Sequence, residues 1–263
     1  MKRKILKATN IFLSLLLIIN ILCTTPCVYA GRAYNWYCKK NDSHTVPELD
    51  PEFDFIGKYG GFYANLNVKD GDKVIYLTFD AGYENGNVAK ILDVLKDHSA
   101  HASFFVLENL ITRNPELIMR MKDEGHLVCN HTAKHPDMTK IINQDVFAQQ
   151  LTNLENAYLE LTGEEMAKVY RPPEGRFSEE NLKFAHELGY KTIFWSFAYA
   201  DWDNNRQPDS KKSLEKLLSH THNGEILLLH PTSSTNAEIM DEFLCCLEKQ
   251  GYRFGELSEL WAR

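Results

Sequence analysis

From residue 71 to the C-terminus the chain repeats one unit, and that repetition limits the folds open to it more than any other feature. Short apolar, β-branched or aromatic runs fall at 74–79, 102–107, 127–130, 169–171, 191–195 and 225–229, with a last one at 252–254. Between them lie amphipathic segments, at 88–98, 115–124, 144–161, 178–188, 210–220 and 238–250. Asn114-Pro115 offers an N-cap followed by proline at the first helical position, and Ser178 with Glu179 and Glu180 behind it does the same by side chain and dipole. Gly125, Gly189, Gly224 and Gly251 each stand between a helical segment and the next strand, where a left-handed residue ends a helix. Strand, helix, glycine, strand, repeated about seven times, means an α/β protein with a parallel sheet, either open and doubly wound or closed into a (β/α) barrel.

Both architectures gather functional groups at the C-terminal ends of the strands. The first run, V-I-Y-L-T-F-D-A-G over 74–82, reads as a fully buried strand that ends in Asp80. The third ends in Asn130-His131 with His135 four residues on, the fourth in Arg171, the fifth leads to Asp201-Trp202, and the sixth ends in His230. Each has a structural reading on its own: Asp80 could cap the next helix, the histidines could be capping or core residues, and Arg171 could precede a surface turn. Their functional readings are more specific. One helical turn would place His131 and His135 on one face, a spacing able to chelate a transition metal. An arginine held stiff by Pro172 and Pro173 could grip a carboxylate bidentately and keep it ionised. A histidine beside leucines can have its basicity tuned for general acid work.

The first 30 residues stand apart from this pattern. Lys2, Arg3, Lys4 and Lys7 form a basic start, residues 11–23 an apolar core, and Val28-Tyr29-Ala30 small residues at the recognition positions before Gly31. This reads as a Sec-type signal peptide cleaved after Ala30, which places the protein outside the cytoplasm, membrane-anchored if the signal stays uncleaved. Its removal takes away four positive charges, moving the net charge from −7 to −11, and no basic patch calls for a nucleic-acid partner. Four cysteines then remain, Cys38, Cys129, Cys245 and Cys246, with neither a disulfide framework nor a C-x-x-C metal spacing. Residues 31–70 form a lead-in, rich in aromatics, with turn signals at Asp42-Ser43 and Gly60-Gly61, expected to pack on the domain that follows over 71–263.

Five segments together, T-F-D-A-G (78–82), H-T-A-K-H-P (131–136), R-P-P-E-G (171–175), A-D-W (200–202) and L-L-L-H-P (227–231), resemble in kind and order the polysaccharide deacetylases of carbohydrate esterase family 4, the NodB-homology domain. The detail of T-F-D-A-G-Y-E-N-G, R-P-P-E-G-R-F-S and F-W-S-F-A-Y-A-D-W is similar to the delta-lactam-biosynthetic de-N-acetylases of endospore-forming bacteria. The resemblance implies a distorted (β/α) barrel of about seven parallel strands. It further implies metal-assisted hydrolysis of the N-acetyl group of N-acetylmuramic acid in peptide-free cortex peptidoglycan, leading to muramic δ-lactam, by a monomer whose partner is the glycan strand. Alternatives are an N-acetylglucosamine deacetylase of peptidoglycan or chitin, and a glycan-binding protein with a dead site.

Carried over residue by residue, the resemblance makes Asp80 the general base, His230 the acid and Arg171 the residue that orients Asp80. Asp201 supports the site, Tyr83, Pro172, Trp202 and Leu228 contact substrate, and His131 and His135 hold a divalent metal, zinc or another. Most of the family carries Asp-Asp where this chain has Asp80-Ala81, and the second Asp is their third ligand. Alanine coordinates nothing, so the resemblance implies a weakly held metal. Ala198 likewise stands where other members carry an acid in a longer fourth motif.

Overall fold

Each of the seven expected runs forms a strand in the computed structural model, which describes residues 31–39, 43–69 and 71–262. The expected signal peptide over 1–30 and Asp42 of the expected turn lie outside the described residues. The strands are β1 (Ala33–Asn35), β2 (Gly61–Phe62), β3 (Val74–Ala81), β4 (Ser103–Val106), β5 (Leu127–Asn130), β6 (Val169–Tyr170), β7 (Arg176–Ser178), β8 (Lys191–Ile193), β9 (Phe197–Ala198), β10 (Glu225–Leu229) and β11 (Arg253–Phe254). Helices α1 (Val88–Asp97), α2 (Glu108–Arg113), α3 (Pro115–Asp123), α4 (Gln144–Thr162), α5 (Glu179–Glu187), α6 (Ser210–His220) and α7 (Ser234–Lys249) connect them.

The main sheet runs β2-β8-β6-β5-β4-β3-β10-β9 with every pairing parallel, and β11 pairs with the start of β3. Its two ends nearly meet through the chain itself. β8 pairs with β6, and only three residues later β9 pairs with β10, so residues 191–198 carry the sheet round on itself. On the other edge of β8, β2 adds a strand and Ala64 bridges to Glu225 at the start of β10, filling the gap at that end. The result is the distorted barrel expected, with the lead-in supplying part of its wall. Gly224 makes this junction possible: its φ is 77°, and a Cβ there would lie 2.3 Å from the Asn65 carbonyl oxygen.

β3 shows how the period of two sorts the core. Ile75, Leu77, Phe79 and Ala81 point outward into a cluster with Ile91 and Leu92 of α1 and Phe243 and Leu244 of α7. Val74 and Tyr76 point inward, beside Phe105, Cys129, Ile193 and Ile226. Thr78 and Asp80 continue the inward row, so the strand's alternation alone aims a carboxylate down the barrel axis toward its C-terminal mouth.

Several local expectations need correction. Asp80 does not cap α1, whose N-cap is Asn87. Asn114 precedes Pro115 at the start of α3, but its side chain turns to Glu116 at 3.3 Å instead of capping. Ser178 does cap α5, accepting from the Asn181 amide at 3.1 Å. The last helix begins at Ser234 rather than 238, because Ser233 caps it through the Asn236 amide, and α2 carried no periodic signal in its six residues. The lead-in is more ordered than its composition implies. Trp36, Phe53, Ile56 and Tyr63 form a second cluster with Phe177, Leu182 and Phe194, and β1 pairs antiparallel with β7. Cys38, Cys129, Cys245 and Cys246 are all free thiols. Among the described residues no helix is long and apolar enough to cross a membrane.

Candidate active site

Asp80 meets a buried arginine at the mouth of the barrel. Arg171, immediately after β6, is fully buried and spends its donors on β3 and the end of β8. Its Nη1 donates to Asp80 Oδ1 at 2.8 Å, its Nη2 to Thr78 Oγ1 at 2.8 Å and to the Phe194 carbonyl at 3.2 Å, and its Nε to the Ile193 carbonyl at 3.1 Å. The guanidinium also lies 4.1 Å from the centre of the Phe105 ring. Burial raises the Asp80 carboxyl, but the surrounding charges of His131, Arg171 and His230 lower it further, and the balance falls below its ordinary value. Asp80 is therefore a carboxylate at neutral pH.

His131 follows β5 and lies beside Asp80, its Nε2 3.5 Å from Asp80 Oδ2. Its Nδ1 donates to the Arg171 carbonyl at 2.9 Å, which leaves Nε2 as the free lone pair facing the groove. Burial is the largest influence on the ring and pushes it down to about 4, so it is neutral in the working range and Arg171 is the cation that holds Asp80 ionised. His135 does not reach it by a helical turn. Residues 131–137 form a loop in which Thr132 (φ 73°) and His135 (φ 55°) both adopt left-handed backbone. Asn130 Oδ1 accepts from the Thr132 amide at 2.8 Å and Thr132 Oγ1 from the His135 amide at 2.9 Å, and this folded loop brings the two imidazoles to 5.0 Å between centroids. The strain is local, and it serves to gather two ring nitrogens.

The donor chemistry fits a divalent ion: two imidazoles, one of them fixed in its tautomer by a carbonyl, with a carboxylate beside them. It fits weakly. Among the described residues, the one group of three ligand atoms within 4.8 Å of one another is elsewhere, at His98, Asp241 and Cys245. Ala81 is fully buried in the outer cluster and supplies no oxygen.

On the opposite wall, His230 leaves β10 into the same opening. Its Nδ1 meets Asp201 Oδ1 at 2.7 Å and its backbone amide donates to Asp201 Oδ2 at 2.8 Å. Asn236 holds that carboxylate from behind at 2.6 Å, and Tyr199 hydrogen-bonds Asn236 in turn. Burial pushes His230 down, but the bond to Asp201 and the charges of Asp201 and Asp80 outweigh it, and the ring is more basic than an ordinary histidine.

Asp80, Tyr83, His131, His135, Trp202, Leu228 and His230 all line one groove of about 810 Å³, far larger than the other cavities described, which run from about 10 to 260 Å³. Trp202 stands 60% exposed on its rim and Tyr83 46%, the latter bonded to Asn204. Leu228 lies between Thr78 of β3 and Ala198 of β9 and forms the floor. Asp201 and Arg171 are buried behind the wall. Pro172 is placed there too: it is buried, its carbonyl accepts from the Gly175 amide at 3.0 Å, and it shapes the turn rather than lining the groove. That turn brings Glu174 (φ 57°) to the rim and packs Gly175 where a Cβ would lie 2.7 Å from Trp195. Leu107, Glu174, Trp195, Tyr199 and Thr232 also line the groove and were not anticipated. Leu107 directly follows a strand and was within reach of the same strand-end rule. Tyr199 directly follows β9, but no apolar run in the sequence marks that strand; Thr232 carries no such mark, and neither does Asn236 behind Asp201.

The family profile described as polysaccharide deacetylase matches residues 67–193. The chain is 41% identical over 250 residues to the peptidoglycan-N-acetylmuramic acid deacetylase PdaA of Bacillus subtilis, covering 91% of this chain and 94% of that protein. The solved structure of B. subtilis PdaA, described as a family 4 carbohydrate esterase, superposes with a TM-score of 0.82 at 39% identity over 87% of this chain and 97% of its own. A family 4 carbohydrate esterase from Bacillus anthracis gives 0.71 at 38% identity, covering 87% and 96%.

Proposed function

The chain belongs to the polysaccharide deacetylases of carbohydrate esterase family 4, and on that premise we propose that it hydrolyses the N-acetyl group of N-acetylmuramic acid in peptidoglycan from which the stem peptides have been removed. As a peptidoglycan deacetylase it cleaves an acetyl amide. The muramic target is supported by the similarity to PdaA along nearly the whole of both chains. Formation of muramic δ-lactam in spore cortex, and a location outside the cytoplasmic membrane, belong to the same proposal; the second rests on the N-terminal sequence pattern.

The observation that carries the chemistry is a pair of opposed ion pairs, Asp80–Arg171 and His230–Asp201, on one groove. Amide hydrolysis needs a nucleophile made from water, stabilisation of the tetrahedral oxyanion and a proton for a poor leaving group. Asp80, held ionised, takes the proton of a water placed against the acetyl carbonyl. His230, fixed through Nδ1 and kept basic by Asp201, delivers the proton from Nε2 to the departing amine. A divalent ion held by His131 and His135 would polarise the carbonyl and the water. Leu228 offers an apolar surface for the acetyl methyl, and Trp202 a face for the sugar ring.

The test is acetate release from peptide-free glycan, with the product sugars separated by mass spectrometry. Wild type should free acetate from muramic residues, and Asp80→Ala and His230→Ala should not. Deacetylation of glucosamine residues alone would overturn the muramic assignment in favour of an N-acetylglucosamine deacetylase. Full activity in both variants would overturn the mechanism.

A further inference from the structure

Away from the groove, on the outer layer of helices, a second set of metal-binding side chains comes together where α1 ends against α7. His98 is the C-cap residue of α1, and its side chain is only 9% exposed. Its Nε2 lies 3.0 Å from Asp241 Oδ1 and its Nδ1 3.1 Å from Glu248 Oε1. Asp241 and Cys245 stand four apart on α7 and so share one face. One ligand atom from each of His98, Asp241 and Cys245 lies within 4.8 Å of the others.

From this geometry we propose a zinc site formed by His98 Nε2, Asp241 Oδ1 and Cys245 Sγ, with water completing the tetrahedron, separate from the deacetylase groove. Three features point to a metal rather than an ordinary surface ion pair. Nitrogen, oxygen and sulfur together suit zinc or cadmium, and a thiolate disfavours magnesium and calcium. Both His98 nitrogens donate to carboxylates, and once an ion displaces the Nε2 proton, Glu248 accepting from Nδ1–H is the outer contact that holds the ring in the ligating tautomer. The nearly buried His98 is anchored by both its helix and its carboxylate partner, so one ligand is preorganised. Binding replaces the proton of the Cys245 thiol, and that of His98 Nε2 when the ring is charged, so zinc uptake releases protons to solvent. The bound ion would tie the end of α1 to the middle of α7.

Cadmium titration of the whole protein reads this site directly, because a thiolate–cadmium bond adds an ultraviolet charge-transfer band that imidazole and carboxylate ligands do not. We expect the band to saturate at one equivalent and to persist in His131→Ala/His135→Ala, which lacks the histidine pair that would hold a metal in the groove. Cys245→Ser should abolish it, and Cys246→Ser should leave it intact. His98→Gln should weaken cadmium binding at least tenfold, and Cys245→Ser should lower zinc content by one ion per chain while deacetylase activity is kept. No band in wild type, a band surviving Cys245→Ser, or one lost with Cys246→Ser would each overturn the proposal. None of these results bears on the groove, so this site and the deacetylase reading stand or fall separately.

Discussion

Replacing Asp201 by asparagine separates the role of His230 from the integrity of the fold. Asp201 is fully buried and accepts from the His230 Nδ1 at 2.7 Å, the His230 amide at 2.8 Å and Asn236 Nδ2 at 2.6 Å. The substituted side chain keeps the size and loses the charge. A hydrogen bond to a charged group contributes about 1.5–3 kcal/mol, and 1.36 kcal/mol corresponds to about one pH unit, so the imidazolium should lose its proton about 1–2 pH units lower. His230 must be protonated to serve as the acid, so activity falls as pH rises through its pKa. In Asp201→Asn the alkaline limb of kcat should therefore move to lower pH by about 1–2 units, while the acid limb, set by Asp80, stays. The introduced carboxamide must also turn its NH2 group toward a donor, at a cost of about 1–3 kcal/mol of stability, so the profile is recorded below the variant's own melting temperature. The assay is initial-rate acetate release across pH, with cooperative unfolding as the control. An unmoved alkaline limb in a folded variant, or a shift of the acid limb in its place, would refute the assignment.

Arg171→Met leaves the Asp80 charge buried without its cation. It should abolish acetate release and destabilise the protein by about 3–5 kcal/mol in urea unfolding, the lower end if Asp80 protonates. Glu225, at the start of β10, is buried and its carboxyl is pushed up to about 8 by desolvation. The folded state thus keeps a proton that the unfolded chain gives up near 4.5, so stability is full below that pH and declines as pH rises through 8. Glu225→Gln should raise stability at pH 8 by about 1–3 kcal/mol and change it little at pH 4, read from urea midpoints. Trp202→Ala, at the exposed rim, should raise KM about tenfold, equivalent to about 1.4 kcal/mol, with kcat nearly unchanged; a fall in kcat at constant KM would argue against a sugar platform.

What the sequence showed of this molecule follows from how local each signal is. The seven strands and three of the four glycine stops were legible because hydrophobic period and left-handed backbone are written into neighbouring residues: Gly125, Gly189 and Gly251 directly follow their helix caps with positive φ, whereas Gly224, also left-handed, lies beyond the Thr221 cap of α6 and serves the barrel junction instead. The strand-end rule then located Asp80, His131, Arg171 and His230 without any knowledge of contacts. It failed where position depends on loop geometry. Nothing in H-T-A-K-H-P announces that Thr132 and His135 turn left-handed, so the helical explanation for the histidine pair was wrong even though the rings meet. Pro172 illustrates a different limit: the resemblance implies that it contacts substrate, whereas it is buried in the turn behind the groove. The pairing of Asp201 with His230, 29 residues apart, and the buttress from Asn236 required the barrel itself.

Arg171 makes the catalytic centre and the barrel core one structure. Through Asp80 and Thr78 it ties down β3, through the Ile193 and Phe194 carbonyls the end of β8, and through the Phe105 ring β4, while its own carbonyl fixes the His131 tautomer. A hydrophobic residue of similar volume could fill that space, and buried ion pairs are often no more stabilising than such a replacement. Only a charge there, however, keeps Asp80 ionised in a site whose burial works the other way, and only a carbonyl at that point leaves His131 Nε2 facing the groove. The absence of a carboxylate at position 81 sharpens this dependence. With no second acid to attract a metal, the electrostatic state of the base rests chiefly on the arginine, so Arg171→Lys, which keeps the charge but offers a single donor point, should retain ion pairing and lose the bracing of β8. Such a variant should lower the melting temperature while leaving the acid limb of the pH profile nearly in place, whereas Arg171→Met loses both activity and stability.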